Sequence, residues 1–62
     1  MERNCAYSMN CEAPRAYRVT EKWDERVVYC CAAHYPGNRI IAPPVARYES
    51  KNYIIEPLKG AQ

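Results

Sequence analysis

Two adjacent cysteines, Cys30 and Cys31, stand just ahead of the only histidine, His34, in the stretch YCCAAH. Two more cysteines, Cys5 and Cys11, lie near the start of the same 62-residue chain. This placement of thiols and imidazole constrains the fold more than any other feature, because a chain of this length has little else to fold around. Below roughly 70 to 80 residues a hydrophobic core rarely supplies enough stability alone, and a disulfide framework or a metal is expected. The apolar inventory strengthens the expectation: there is no Phe, one Trp and a single Leu, Leu58. The remaining large apolar residues are mostly Val, Ile and Tyr, which favour strands, and five prolines argue against long helices.

Disulfides and metal compete for the four thiols. An even cysteine count in a short chain permits a disulfide framework. That framework belongs to oxidising compartments, and the opening MERNCAYSMNCE is polar and charged, with no apolar core of a secretory signal. A bond between Cys30 and Cys31 would also close a strained ring. The balance points to zinc as cofactor and to a cytoplasmic protein, with disulfides and free thiols as the other readings. The longest apolar stretch, residues 40–46, is broken by Pro43 and Pro44, so no membrane span is expected.

Spacing names the ligands. Structural zinc takes four nitrogen or sulfur donors in a tetrahedron, commonly from two short sequence pairs. Cys5 and Cys11 form one pair; Cys31 with His34, or Cys30 with His34, forms the other. Between them, residues 16–20 and 26–30 read as two strands joined by the charged turn 21–25. A hairpin there returns the second pair to the first. Side chains alternate along a strand, so Cys30 and Cys31 point apart and one of them ligates. The Cys-x2-His spacing favours Cys31, which leaves Cys30 as a small buried apolar residue. The predicted metal site is therefore Cys5, Cys11, Cys31 and His34.

The residues Cys11, Ala13, Pro14, Ala16, Arg18, Val19, Val28, Tyr29, Cys31 and His34, in CEAPRAYRV and VVYCCAAH, resemble small bacterial and phage single-zinc finger proteins of the zinc-ribbon or treble-clef-like kind. The resemblance covers residues 5–34. It departs from the usual Cys-x2-Cys opening, since Cys5 and Cys11 are separated by five residues. It implies a zinc-binding module of a phage or bacterium that acts on a larger machine, with no partner common to the group.

Beyond the first hairpin, Tyr35-Pro36-Gly37-Asn38 has the proline and glycine of a type II turn. Residues 39–42 are expected as a short strand, and residues 45–48 and 53–56 as a second hairpin around 49–52. The terminal Gly60-Ala61-Gln62 is expected to fray. The fold class is thus a small, metal-stabilised, mostly β protein: two β-hairpins, one zinc knuckle site and little helix. Residues 1–62 form a single zinc-binding mini-domain, with a zinc hairpin over 1–38 and packed C-terminal strands over 39–58.

Function follows less directly. Three thiolates and an imidazole fill a tetrahedral zinc, leave no place for water or substrate, and make the ion a poor Lewis acid. No second histidine serves acid–base chemistry, so no enzyme and no small-molecule substrate are expected. Nine Lys and Arg against seven Asp and Glu give a net charge of +2, short of the strong basic footprint of an autonomous DNA binder. The expected function is a binding module that acts as adaptor, regulator or inhibitor through protein–protein contact; the alternative is a zinc-finger nucleic-acid-binding protein. Tyr and Arg are enriched at protein interfaces. On that basis Arg18, Arg47 and Tyr48 are candidate partner-binding residues. Trp23 joins them, because it sits in a charged turn where no core residue is needed; packing back over its own hairpin is the other reading. Tyr17, Tyr29 and Tyr53 are expected to be at least half-buried.

Overall fold

A computed structural model describes residues 4–58. Four strands form one antiparallel sheet: β1 (Tyr17–Glu21), β2 (Arg26–Cys30), β3 (Tyr48–Glu49) and β4 (Tyr53–Pro57), in the order β2-β1-β4-β3. There is no helix among the described residues. β1 with β2 and β3 with β4 form two hairpins, which join where β4 pairs with β1. The two interior strands are therefore β1, the first strand of the first hairpin, and β4.

The sequence pattern explains the faces. In β1, Tyr17 and Val19 are buried while Arg18 between them is exposed. Val19 lies opposite Val28 on one side and Ile55 on the other, and Tyr17 lies opposite Cys30. Cross-strand partners share a face. The inner face therefore carries Tyr17, Val19, Val28, Cys30, Tyr53 and Ile55. The outer face carries Arg18 opposite Glu56, an ion pair at 3.4 Å, together with Thr20 and Ile54.

Two irregular segments cover the inner face. From the N-terminal side come Cys5, Tyr7 and Cys11; from the segment after β2 come Cys31, Tyr35 and Ile41. Tyrosine does here what phenylalanine cannot. The rings of Tyr17 and Tyr35 pack edge to face, 5.8 Å between centroids. Their hydroxyls then tie down the loop that follows: Tyr17 Oη donates to the Pro44 carbonyl at 3.0 Å, and Tyr35 Oη donates to the Ile41 carbonyl.

The first turn closes with four residues, 22–25, between the opposed Glu21 and Arg26. Asp24 Oδ1 accepts from the Arg26 amide at 3.1 Å, and Glu25 adopts φ of 60° to complete the reversal. The predicted turn at Tyr35-Pro36-Gly37-Asn38 is present: the Asn38 amide donates to the Tyr35 carbonyl at 3.0 Å, with Gly37 at φ of 83°.

The C-terminal half departs from expectation in detail. Residues 39–42 are not a strand. The turn at Gly37 continues instead, with the Ile40 and Ile41 amides both donating to the Gly37 carbonyl at 2.9 Å. The second hairpin is shorter on its first side: β3 holds only Tyr48 and Glu49, and residues 45–47 do not join the ladder. Its turn is the tight Lys51-Asn52, closed by the Ser50 amide on the Tyr53 carbonyl at 2.8 Å. Ile40 and Val45 are 87% and 96% exposed, so they do not pack as core aliphatics, whereas Ile55 is fully buried. Val27 also faces solvent, at 40% exposure. Tyr17, Tyr29 and Tyr53 are each buried or half-buried. The expected fraying at residues 60–62 lies outside the described residues.

Because β1 is paired on both edges, the metal hairpin and the C-terminal strands share one ladder. Truncation after Asn38 removes β3 and β4 and uncovers the β1 edge. The fragment 1–38 is expected to lose dispersed amide signals even with zinc present. A native-like spectrum from the fragment would show that the first hairpin folds without its neighbour.

Lys22 also ties the two hairpins. Its amide donates to the Asn52 carbonyl at 2.9 Å, and its Nζ contacts Glu49 Oε2 at 2.6 Å and the Ser50 carbonyl at 3.1 Å. The Lys22 hydrogen bond and charge, with Arg47 nearby, hold Glu49 below its ordinary 4.5. A depressed carboxylate contributes stability that is present above its unfolded pKa and is lost as pH falls through the folded value. Lys22→Met should therefore move the Glu49 titration, followed by carboxyl NMR, back toward the ordinary value. An unmoved titration would contradict the tie.

Candidate metal centre

The candidate metal centre is assembled at one end of the inner face. Cys31 directly follows Cys30, the last residue of β2, and His34 follows after Ala32 and Ala33. The N-terminal segment is brought alongside by the Ala6 amide, which donates to the Tyr29 carbonyl at 2.8 Å and sets Cys5 beside the end of β2. Arg15 reinforces the approach: its guanidinium lies 4.1 Å over the Tyr29 ring, and its Nε donates to Asn4 Oδ1 at 3.3 Å. The Ala16 amide donates to the Cys30 carbonyl at 2.7 Å, which turns the chain from Cys11 into β1 beside the same strand end.

The donor atoms of Cys5, Cys11, Cys31 and His34 lie within 4.8 Å of one another. Cys31 Sγ is 3.7 Å from Cys5 Sγ, 3.6 Å from Cys11 Sγ and 3.2 Å from His34 Nδ1. All four cysteines are unbridged, and these separations are far longer than the ~2.05 Å of a disulfide. The three edges that meet at Cys31 are instead of the size found in a coordination tetrahedron. With Zn–S of about 2.3 Å and Zn–N of about 2.0–2.1 Å, sulfurs stand about 3.8 Å apart and a sulfur–nitrogen edge is about 3.5 Å. The cluster can hold a metal ion, and its donor set of three soft thiols and one imidazole suits zinc.

Charge shows what a cation would do for such a cluster. Burial pushes the Cys31 thiol up, but hydrogen bonds from the Ala33 amide, from Cys11 and from the ring and amide of His34 outweigh it, and Cys31 is held down to about 6. Cys11 goes the other way. The Ala13 amide pulls it down, but the hydrogen bond with Cys31, burial and Cys5 together raise it above the ordinary 9.0. Neighbouring thiols resist ionising together because like charges repel. A bound divalent ion removes that conflict, since coordinated thiols are deprotonated outright.

Cys30 is excluded from the cluster. It is fully buried on the inner face, and burial first, then Cys5 and Cys31, pushes its thiol up to about 12. A thiol of that kind is a poor ligand and a small apolar core residue. β2 ends at Cys30 and Cys31 lies in the irregular segment beyond it, so the end of the strand, not alternation along it, separates the two adjacent cysteines.

The other residues singled out by sequence are scattered over the surface. Arg18 pairs with Glu56 across β1 and β4, and Arg47 Nη2 lies 3.4 Å from Glu49. Tyr48 is 37% exposed. Trp23 stands at the β1–β2 turn with its ring edge to face against Tyr53, 5.2 Å between centroids, yet remains 60% exposed. It packs back over the sheet and still presents most of its surface. Sequence reasoning missed the amide donors of Ala13, Ala33 and His34. The available signal was the small residue placed two positions after Cys11 and after Cys31, where a turn folds its amide over the sulfur.

Comparison with protein-family models, with curated proteins and with solved structures gives no match to this chain. No helix among the described residues is long and apolar enough to cross a membrane.

Proposed function

We propose that this chain is a zinc-stabilised, non-enzymatic binding module, acting in the cytoplasm of a bacterium or phage-infected cell as an adaptor, regulator or inhibitor through contact with a protein. The observation that carries the reading is the convergence of Cys5, Cys11, Cys31 and His34 within 4.8 Å. Four protein donors complete a tetrahedral ion and leave no position for water or substrate, which is the arrangement of a structural and not a catalytic zinc. The resemblance of residues 5–34 to single-zinc finger proteins supports the same assignment.

The surface favours protein over nucleic acid as partner. Several cations that would meet phosphate or stack on bases are already engaged: Arg18 with Glu56, Lys22 and Arg47 with Glu49, and Arg15 with Tyr29 and Asn4. Large apolar side chains are meanwhile left in solvent, among them Met9, Trp23, Ile40 and Val45. The test is capture of partners on immobilised zinc-loaded protein, with and without nuclease, followed by a salt titration of the complex. A protein partner retained after nuclease treatment, with a shallow salt dependence, supports the reading. Capture that nuclease abolishes, with affinity falling steeply in log–log salt plots, would replace it with nucleic-acid binding.

A further inference from the structure

One concave surface is not used by the metal centre. A groove of about 220 Å³ opens between the turn after Tyr35 and the β3–β4 hairpin. Gly37, Ile40 and Ile41 line one side, Tyr48 and Tyr53 the other, and Lys51 lines it as well. The exposed Trp23 ring continues the apolar surface, because it packs against Tyr53. A single exposed isoleucine needs no explanation. Ile40 at 87% exposure in one groove with Ile41, Tyr48 and Tyr53 is different, since contiguous apolar surface with polar neighbours marks an interaction site.

Size and charge select the occupant. Small-molecule pockets run from about 300 to 1,000 Å³, so a groove of about 220 Å³ suits one large side chain of a bigger partner. No carboxylate lines it. The nearest acid in the hairpin, Glu49, is held by Lys22 and Arg47. Lys51 in the groove and Arg39 next to Ile40 have no ion-pair partner among the described residues. A second copy of the chain is a poorer fit, since both copies carry the same net +2 charge, while an acidic segment complements Lys51 and Arg39.

We infer that this groove docks an acidic segment of a partner protein, which seats one large apolar side chain against Ile40, Tyr48 and Tyr53 and sets flanking carboxylates against Lys51 and Arg39. The inference rests on the protein-binding function proposed above and assigns it a surface.

The experiment is an amide NMR titration of the ¹⁵N-labelled, zinc-loaded full chain with three synthetic peptides. The first is Asp-Glu-Asp-Leu-Trp-Asp-Glu-Asp. The second replaces Leu-Trp with Ser-Ser, and the third replaces every acid with Lys. The first peptide should shift amides of residues 37–41 and 48–53, and the other two should bind at least about tenfold more weakly. Ile40→Ser and the pair Arg39→Glu with Lys51→Glu should each weaken the first peptide by about tenfold or more while keeping zinc and amide dispersion. These side chains are solvent-exposed, so the spectrum itself verifies that the variants fold. Absence of shifts at those residues at millimolar peptide would overturn the inference. So would equal binding of the lysine peptide, or of a short oligothymidine, at the same amides. If lysate capture of a protein persists in variants whose groove is disabled, the groove assignment fails and the protein-binding function stands. If capture is nuclease-sensitive, that function itself fails.

Discussion

Stripping zinc with a chelator should unfold the chain. Two aliphatic side chains, Val19 and Ile55, are fully buried, and three of the remaining five buried residues are cysteines. Two of those cysteines, Cys5 and Cys31, belong to the metal cluster, so the ligands are also a large part of the core. Without the ion, thiols at 3.6 and 3.7 Å resist ionising together, and the N-terminal segment loses the link that four shared ligands would supply, keeping contacts such as the Ala6 amide on Tyr29, the Arg15 contacts and the Tyr7 hydroxyl on Glu21. A ligand set that does not exist in the unfolded chain converts binding energy into folding energy, on the order of 10–16 kcal/mol for structural zinc in small fingers at neutral pH. Amide dispersion in a ¹⁵N spectrum should collapse on chelation and return on addition of one equivalent of zinc. A spectrum unchanged by complete metal removal would mean that the core holds itself.

The adjacent cysteines should respond in opposite ways to the same substitution. Cys31→Ser removes a soft donor that lies within 3.7 Å of three other ligand atoms and accepts from the Ala33 and His34 amides. It should abolish stoichiometric zinc binding and, with it, the fold. Cys30→Ser changes a fully buried thiol whose neighbours are Tyr17 across the ladder and the apolar inner face. It should retain zinc and cost about 1–3 kcal/mol, the penalty of a buried hydroxyl without a good partner. Denaturant titrations and zinc content measured side by side would separate the two. Loss of zinc in Cys30→Ser with retention in Cys31→Ser would put the ligand on the wrong side of the strand end.

The first hairpin was readable because its chemistry is strictly local. Tyr17, Val19 and the β-branched pair Val27 and Val28 mark the strands, while Cys31 leaves the strand that ends at Cys30 and turns toward the cluster. The ligand set followed from spacing, because a hairpin brings 31–34 back to its own start. The C-terminal half was less readable. Ile40 and Ile41 look like strand residues, but the turn set by Gly37 captures both of their amides. Nothing in the sequence shows that β4 takes the free edge of β1, since that choice depends on Val19 meeting Ile55 and Arg18 meeting Glu56 across 36 and 38 residues of chain. The tyrosine hydroxyls that fix the intervening loop to Pro44 and Ile41 depend on the same tertiary packing.

Zinc K-edge X-ray absorption on the purified chain, with elemental analysis of the same sample, addresses the central claim most directly. The predicted result is one zinc per chain in a first shell of three sulfurs at about 2.3 Å and one nitrogen at about 2.0–2.1 Å. That shell corresponds to Cys5, Cys11, Cys31 and His34. A well-folded, metal-free sample with its cysteines in disulfides would contradict the account, as would a four-sulfur shell that enlists Cys30.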